Sequence, residues 1–287
     1  MTASQAAADP TNAIAFQGVP GANSHIACRE AYPEMEPVPC DTFEEAFACV
    51  EDGRAALAMI PIENSLGGRV ADIHHLLPDS SLAMIAEHFM QVKYHLLGVP
   101  GAHLDGVKQV WSHVQALAQC REQIKALDVE PVARADTAGA AREVAELADP
   151  AIAAVSPPLA AEIYGLDVLR QRFEDHLGNV TRFVVMSRQR RDPDPRDGKC
   201  MTAFIFQVRS VPASLYKAMG GFATNGVNIT KLESYITGEH FTVARFYAEI
   251  EGHPSELHVA RAFEELEYFS TKLRILGVFQ AHAHRDS

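Results

Sequence analysis

The stretch His176–Ser187, HLGNVTRFVVMS, is where the fold of this chain is decided. Phe183 to Met186 form an unbroken apolar run, as in a strand buried on both faces. Gly178 and Asn179 make a turn ahead of it, and Thr181 and Arg182 stand at its head. A guanidinium at the start of a buried strand needs a partner, because left unpaired it is costly to desolvate. A salt bridge inside the protein supplies one; a carboxylate ligand, matched by the fixed fork of arginine, is the alternative.

Upstream, from Ala13, short apolar runs alternate with amphipathic segments. AIAFQG reads as a strand, ANSHIACREAY as a helix, and DTFEEAFACVEDG as a helix with Thr42 and Glu45 at capping-box spacing. ALAMIPI is the next strand and RVADIHHLL a helix. After the apolar run VKYHLLGVP the order is VKQVWS strand, HVQALAQCREQIKAL helix, PVARA strand, TAGAAREVAELAD helix, AIAAVS strand and PPLAAEIYG helix. This rhythm predicts an α/β domain with a largely parallel sheet. Downstream, SRQRRDPDPRDGKC (187–200) is charged, proline-rich and almost free of apolar residues, which reads as a linker. Beyond it the order is β-α-β-β-α-β over 201–280, a ferredoxin-like module. Residues 1–12 and 281–287 read as tails.

With 287 residues and 47% hydrophobic composition the chain can bury a large domain and a small one. Five cysteines without a C-x-x-C pair indicate neither a disulfide framework nor a zinc module. MTASQAAADPTN has no basic start followed by an apolar run, and no uncharged stretch is long enough to cross a bilayer, so a cytoplasmic protein without membrane contact is expected. A net charge of -12 argues against nucleic acid, and means that an anionic substrate is held by local donors against the overall field. His74 and His75 are adjacent, so on a helix they diverge and make a poor metal pair. No G-x-S-x-G, H-E-x-x-H or P-loop occurs, which weakens hydrolase, protease and nucleotide-driven readings.

Besides the stretch at 176–187, small polar residues cluster at three strand-to-helix junctions. In FQGVPGANSH, Gly18 and Gly21 permit a tight turn, and Ala22, Asn23 and Ser24 open a helix whose free amides suit an anion. An ordinary turn with an N-cap explains that segment equally well. In PIENSLGG, Glu63, Asn64 and Ser65 follow an apolar strand directly, at the edge where open α/β sheets bind ligands. In WSHVQALAQC, Ser112 can cap the helix, and Gln115 and Gln119 share a face by their i, i+4 spacing. Gln119 taken alone is explained as well by a solvated surface.

Together and in this order, FQGVPGANSH, PIENSLGGRV, SHVQALAQC, AIAAVS with AAEIYGLDVL, and GNVTRF resemble the prephenate dehydratase family, and VPASLYKAMGGFATNGVNITKLESYI resembles its ACT regulatory domain. The resemblance implies a catalytic domain over 13–186 of two α/β lobes, like a type II periplasmic binding protein, with crossings near 93–97 and 169–175. The active site would lie in the cleft between the lobes. It implies a carbon–oxygen lyase that turns prephenate into phenylpyruvate with neither cofactor nor metal, in a homodimer or homotetramer. Thr181 would assist the departing hydroxyl, Arg182 would pair with a carboxylate or fix the Thr181 loop, and Phe183 would shape the pocket. Ala22, Ser24, Asn64, Ser65, Ser112, Gln115, Gln119 and Asn179 would bind substrate. L-Phenylalanine would bind near Leu215, Asn228, Glu233 and Ser234. Here the sequence departs from the family, with Ala213 in place of glycine, Ser214 in place of alanine, and Tyr235 and Ile236 after Glu233 and Ser234. Arogenate dehydratase, with the same chemistry on the transaminated acid, and a non-catalytic amino-acid-sensing or solute-binding protein of the same fold are the rival readings.

Overall fold

A computed structural model describes residues 10–209, 211–237 and 243–286. The first sheet begins with β1 (Ala13–Gln17), α1 (Asn23–Ala31), β2 (Glu36–Cys40), α2 (Phe43–Glu51) and β3 (Leu57–Asn64). β1 is parallel to both β2 and β3, and Ala13 to Phe16 are wholly buried, as expected of a central parallel strand. α2 starts at the expected cap, with Thr42 Oγ1 accepting from the Glu45 N–H (3.1 Å). The Glu45 carboxylate reaches back to the Asp41 N–H (2.9 Å), one residue beyond a strict capping box. β4 (Gly68–Arg69) folds back on β3, and α3 (Ala71–Leu76) and β5 (Ala83–Gln91) follow.

The second sheet is built from β6 (His95–Gly98), β7 (Gln109–His113), α4 (Val114–Gln119), α5 (Arg121–Leu127), β8 (Glu130–Arg134), α6 (Thr137–Leu147), β9 (Ile152–Ser156), α7 (Pro158–Tyr164) and β10 (Asp167–Arg170). Its order is β10-β6-β9-β7-β8. The sheet is mixed: β7 is parallel to β8 and β9, while β6 runs antiparallel to β9 and β10. The single helix expected over His113–Leu127 is broken at Cys120. The Asp175 carboxylate there accepts from the Glu122 and Gln123 N–H groups (3.0 and 3.2 Å), giving α5 a start of its own.

β11 (Val180–Ser187) returns to the first sheet, whose order is β2-β1-β3-β11-β5. The chain thus leaves that sheet after Gln91 and re-enters it at Val180, the two-lobed, periplasmic-binding-protein-like arrangement. The Ser65 N–H donates to the Val180 carbonyl (2.8 Å), so the end of β3 meets the start of β11 and the strands run in opposite directions. Thr181 is thereby set beside Asn64. The lobes meet again at Gly21, where φ is +91° and an added Cβ would stand 2.9 Å from the Ala160 Cα of α7. Only glycine fits there without strain.

By compactness the chain divides into residues up to Val70 with His88–Phe183, and Ala71–Glu87 with residues from Val184 onward. The second unit holds β12 (Cys200–Val208), α8 (Ser214–Thr224), β13 (Ile229–Thr237), β14 (Val243–Glu251), α9 (Leu257–Phe269) and β15 (Ser270–Gln280). Its antiparallel sheet, in order β13-β14-β12-β15, is ferredoxin-like. Phe204 and Phe206 project from β12 toward the helices and pack with Phe222, Phe246 and Phe263. On the opposite face, the α3 side chain His74 is hydrogen-bonded to the Tyr235 hydroxyl and lies edge-on to Tyr247.

The C-terminal stretch read as a tail is folded back on this unit through Arg285. Its Nε donates to Glu87 Oε1 (2.7 Å), and its Nη2 to Glu87 Oε2 (2.9 Å) and Glu249 Oε2 (3.0 Å). Both carboxylate side chains are fully buried. Two buried anions sharing one guanidinium make that arginine hard to remove. Arg285→Ala is expected to lower the unfolding free energy by about 3–5 kcal/mol, measured by urea denaturation of the full chain. A loss under about 1 kcal/mol would show that the carboxylates do not depend on it.

Candidate functional site

Asn64 ends β3, and its hydrogen bonds settle which way its amide faces. Its Oδ1 accepts from the Leu66 and Gly67 N–H groups (3.0 and 2.7 Å) in a tight turn. Only an oxygen can accept from two backbone donors, so the amino group must point the other way. That group donates to Thr181 Oγ1 (2.9 Å), to Asn179 Oδ1 (2.6 Å) and, at 3.3 Å, to the Val180 carbonyl.

Two consequences follow from this orientation. The Thr181 oxygen is an acceptor toward Asn64, so its own proton is available to another group, and the bond it accepts makes it a better donor. Asn179 Oδ1 is likewise an acceptor, so Asn179 Nδ2 donates onward to Gln119 Oε1 (2.8 Å). Gln119 is then left with its amino group free to donate.

These residues line a cavity of about 370 Å³ between the two lobes of the first unit. Thr181 and Phe183, two apart on β11, share the face that lines it. From α1 come Ala22, Asn23 and Ser24; α1 has no side chain capping its N-terminus, so first-turn N–H groups lie beside the cavity without a side-chain partner. The turn before them is held by His25, whose Nδ1 accepts from the Gly21 N–H (3.1 Å). Burial, with Arg29 nearby, pushes the His25 pKa down and keeps the ring neutral for that role. His113 Nδ1 accepts from the Gln115 N–H (3.3 Å), which puts the proton of the neutral ring on Nε2. Tyr94 hydrogen-bonds to Asn23, and burial pushes its pKa up to about 12, so it stays protonated.

No lysine or arginine lines the cavity among the described residues; Asp136, which caps α6 by accepting from the Gly139 N–H (2.6 Å), is its one acid. The arrangement is a set of oriented neutral donors, which hold an anion by hydrogen bonds and stabilise negative charge as it develops.

Of the residues singled out from sequence, Ala22, Ser24, Asn64, Gln115, Gln119, Asn179, Thr181 and Phe183 line this cavity. Ser65, Ser112 and Arg182 do not. Ser65 Oγ bridges the Gly178 carbonyl (3.3 Å) and the Val180 N–H (2.9 Å), bracing the turn before β11. Ser112 is wholly buried and donates to the Val155 carbonyl, tying β7 to β9. Arg182 is 5% exposed and its guanidinium lies over the Phe89 ring at 5.8 Å, because strand alternation turns it away from the face that Thr181 shares with Phe183. Sequence reasoning placed Asn23 at the opening of α1 without assigning it to the site, and missed Gln17, Tyr94, His113 and Thr137 as lining residues. Gln17 and His113 sat inside the motifs that marked the junctions; Tyr94 lay in a run that read as core.

In the second unit, Leu215 lines a cavity of about 380 Å³ with Val208, Arg209, Pro212 and Phe246. Ser234, in register with Phe246, is on the same helix-covered face of the sheet. Glu233, in register with Tyr247, is on the other, 3.6 Å from Lys231 Nζ. Asn228 contributes its carbonyl to the Glu251 N–H (3.0 Å) and does not line that cavity.

Residues 14–191 match the prephenate dehydratase family profile. A bifunctional N-acyl-homoserine lactone acylase/prephenate dehydratase of Komagataeibacter europaeus is 47% identical over 95% of this chain and 97% of its own. The chloroplastic arogenate dehydratase/prephenate dehydratase 1 of Arabidopsis thaliana is 35% identical over 93% of this chain and 71% of its own. Among solved structures, a prephenate dehydratase from Arthrobacter aurescens in complex with L-Phe superposes with a TM-score of 0.86 at 29% identity, over 94% of this chain and 90% of that one. The chain belongs to the prephenate dehydratase family.

Proposed function

We propose that the cleft converts prephenate to phenylpyruvate, with Thr181 as the donor to the departing hydroxyl. The observation that carries this reading is the Asn64 amide, which makes the Thr181 oxygen an acceptor and leaves its proton to give. In the reaction the ring C–O bond breaks and its oxygen leaves as water. The bond from ring to carboxylate breaks as carbon dioxide leaves, and its electron pair enters the ring as it becomes aromatic. One proton is taken up overall, at the departing oxygen, and solvent restores any that Thr181 gives. Negative charge builds on that oxygen in the transition state, where a preoriented donor acts most strongly. The carboxylates are held by neutral donors, Gln119, Gln115, His113 and Tyr94 among them, with no cation from Arg182. Arg182 is instead a positioning residue, holding β11 so that Thr181 faces the cleft.

The same donor set receives arogenate, which carries an ammonium where prephenate has a keto group, and relatives bearing both names keep that substrate in view. A second reaction has one specific observation behind it, the acylase name of the Komagataeibacter relative. Amide hydrolysis calls for a nucleophile activated by a base. Among the described cleft residues the Thr181 hydroxyl is bonded to an amide, and His113 Nδ1 is occupied by a backbone N–H. Dehydration, which asks only for donors, fits this geometry better.

We assign the ferredoxin-like module as an ACT-type regulatory domain that binds L-phenylalanine, supported by its strand order and by the L-Phe complex of the Arthrobacter relative. Leu215 and Ser234, on the helix-covered face, fit such a site better than Glu233 does. Inhibition acts on the cleft to the extent that the effector binds two states with different affinity.

Two measurements test these readings. Thr181→Ala should lower kcat for prephenate by roughly 10²-fold or more with KM little changed, while Thr181→Ser, which keeps the hydroxyl, should stay within about tenfold of wild type. Unchanged turnover in Thr181→Ala, followed by phenylpyruvate absorbance, would remove Thr181 from the chemistry. L-Phenylalanine should lower the wild-type rate saturably, and Leu215→Ala should shift the midpoint to higher effector concentration by about tenfold. A rate indifferent to phenylalanine would refute the regulatory assignment and leave the catalytic one standing.

A further inference from the structure

On the face of the ferredoxin-like sheet turned away from its helices, three cations line one cavity that is neither the cleft nor the effector site. β12 alternates: Phe204 and Phe206 face the helices, so Ile205 and Gln207 face the other way. Across the sheet Gln207 is in register with Arg245 on β14 and with Lys272 on β15, and Ile205 with Arg274. Residues paired in register share a face, so the three cations surround Gln207 on one side of the sheet. Pro78 and Asp79 wall the space, which encloses about 330 Å³.

We propose that this cavity binds a compact dianion, a phosphate group or a small dicarboxylate. Its charge is out of keeping with the chain, which is acidic overall at -12, while here three cations face a single acid, Asp79. The half-buried Arg245 and the exposed Lys272 have no hydrogen-bond or ion-pair partner among the described residues. Like charges this close on one sheet face repel unless something lies between them. Arg274 is held in place: its Nη1 donates to the Pro78 carbonyl (3.1 Å) and its Nη2 to that of Ser80. Neutral carbonyls orient the guanidinium without cancelling its charge. Gln207, 9% exposed, presents an amide at the centre, where it completes the coordination of an oxyanion.

Calorimetric titration of the full chain tests this, using sodium phosphate and sodium malonate at constant ionic strength with sodium chloride as reference. Saturable binding of either is expected, weakened about tenfold or more in Arg245→Gln/Lys272→Gln and unaffected by Thr181→Ala; the anion that binds identifies the ligand class. Lys272→Glu, at an exposed position, provides the same comparison if the double variant does not fold. No saturation beyond the chloride reference would overturn the proposal. So would binding that persists in the charge variants, since the anion would then sit in the cleft.

Discussion

The site rests on one amide whose orientation the backbone dictates. Asn64 Oδ1 is committed to two N–H groups of its own turn, so its amino group must face β11. From that single constraint the directions of Thr181, Asn179 and Gln119 follow in sequence, each as an acceptor at one end and a donor at the other. Such a chain is fixed before a ligand arrives, and preorganisation of this kind is what distinguishes a catalytic donor from a merely polar one. The return of the chain to the first sheet serves it by setting the start of β11 beside the end of β3, which requires a strand opposite in direction to its neighbour.

Much of the architecture was legible in the residues. The period of apolar runs gave the α/β order, and the charged, proline-rich stretch at 187–200 marked the change to a module with a different order. Helix breaks were less legible: Cys120 carries no signal of its own, and the cap that starts α5 comes from Asp175, far along the chain. The mixed direction of the second sheet was hidden for a similar reason, since an apolar run such as HLLG does not say which way it runs.

At the site, the motifs located the wall and left its facing open. Period-two alternation already implied that Thr181 and Arg182 could not both face the cleft, yet polarity drew attention to both. The structure gives Thr181 and Phe183 the cleft side. Arg182, the feature that first demanded a partner, lies against Phe89 on the other. The serines behaved likewise: Ser65 and Ser112 are spent on backbone groups, an ordinary fate for hydroxyls at strand ends. What sequence could not supply was the amide relay, which depends on contacts across 115 positions between Asn64 and Asn179.

The central claim is that Asn64 acts through Thr181, and a double-mutant cycle on kcat for prephenate tests it most directly. Asn64→Asp replaces the donor by an acceptor, so the threonine proton turns toward the carboxylate and away from the cleft. Asn64→Asp alone should then cost nearly as much as Thr181→Ala, and should cost little more when Thr181 is already alanine. Equal and additive losses would show that the two residues act independently and would contradict the relay.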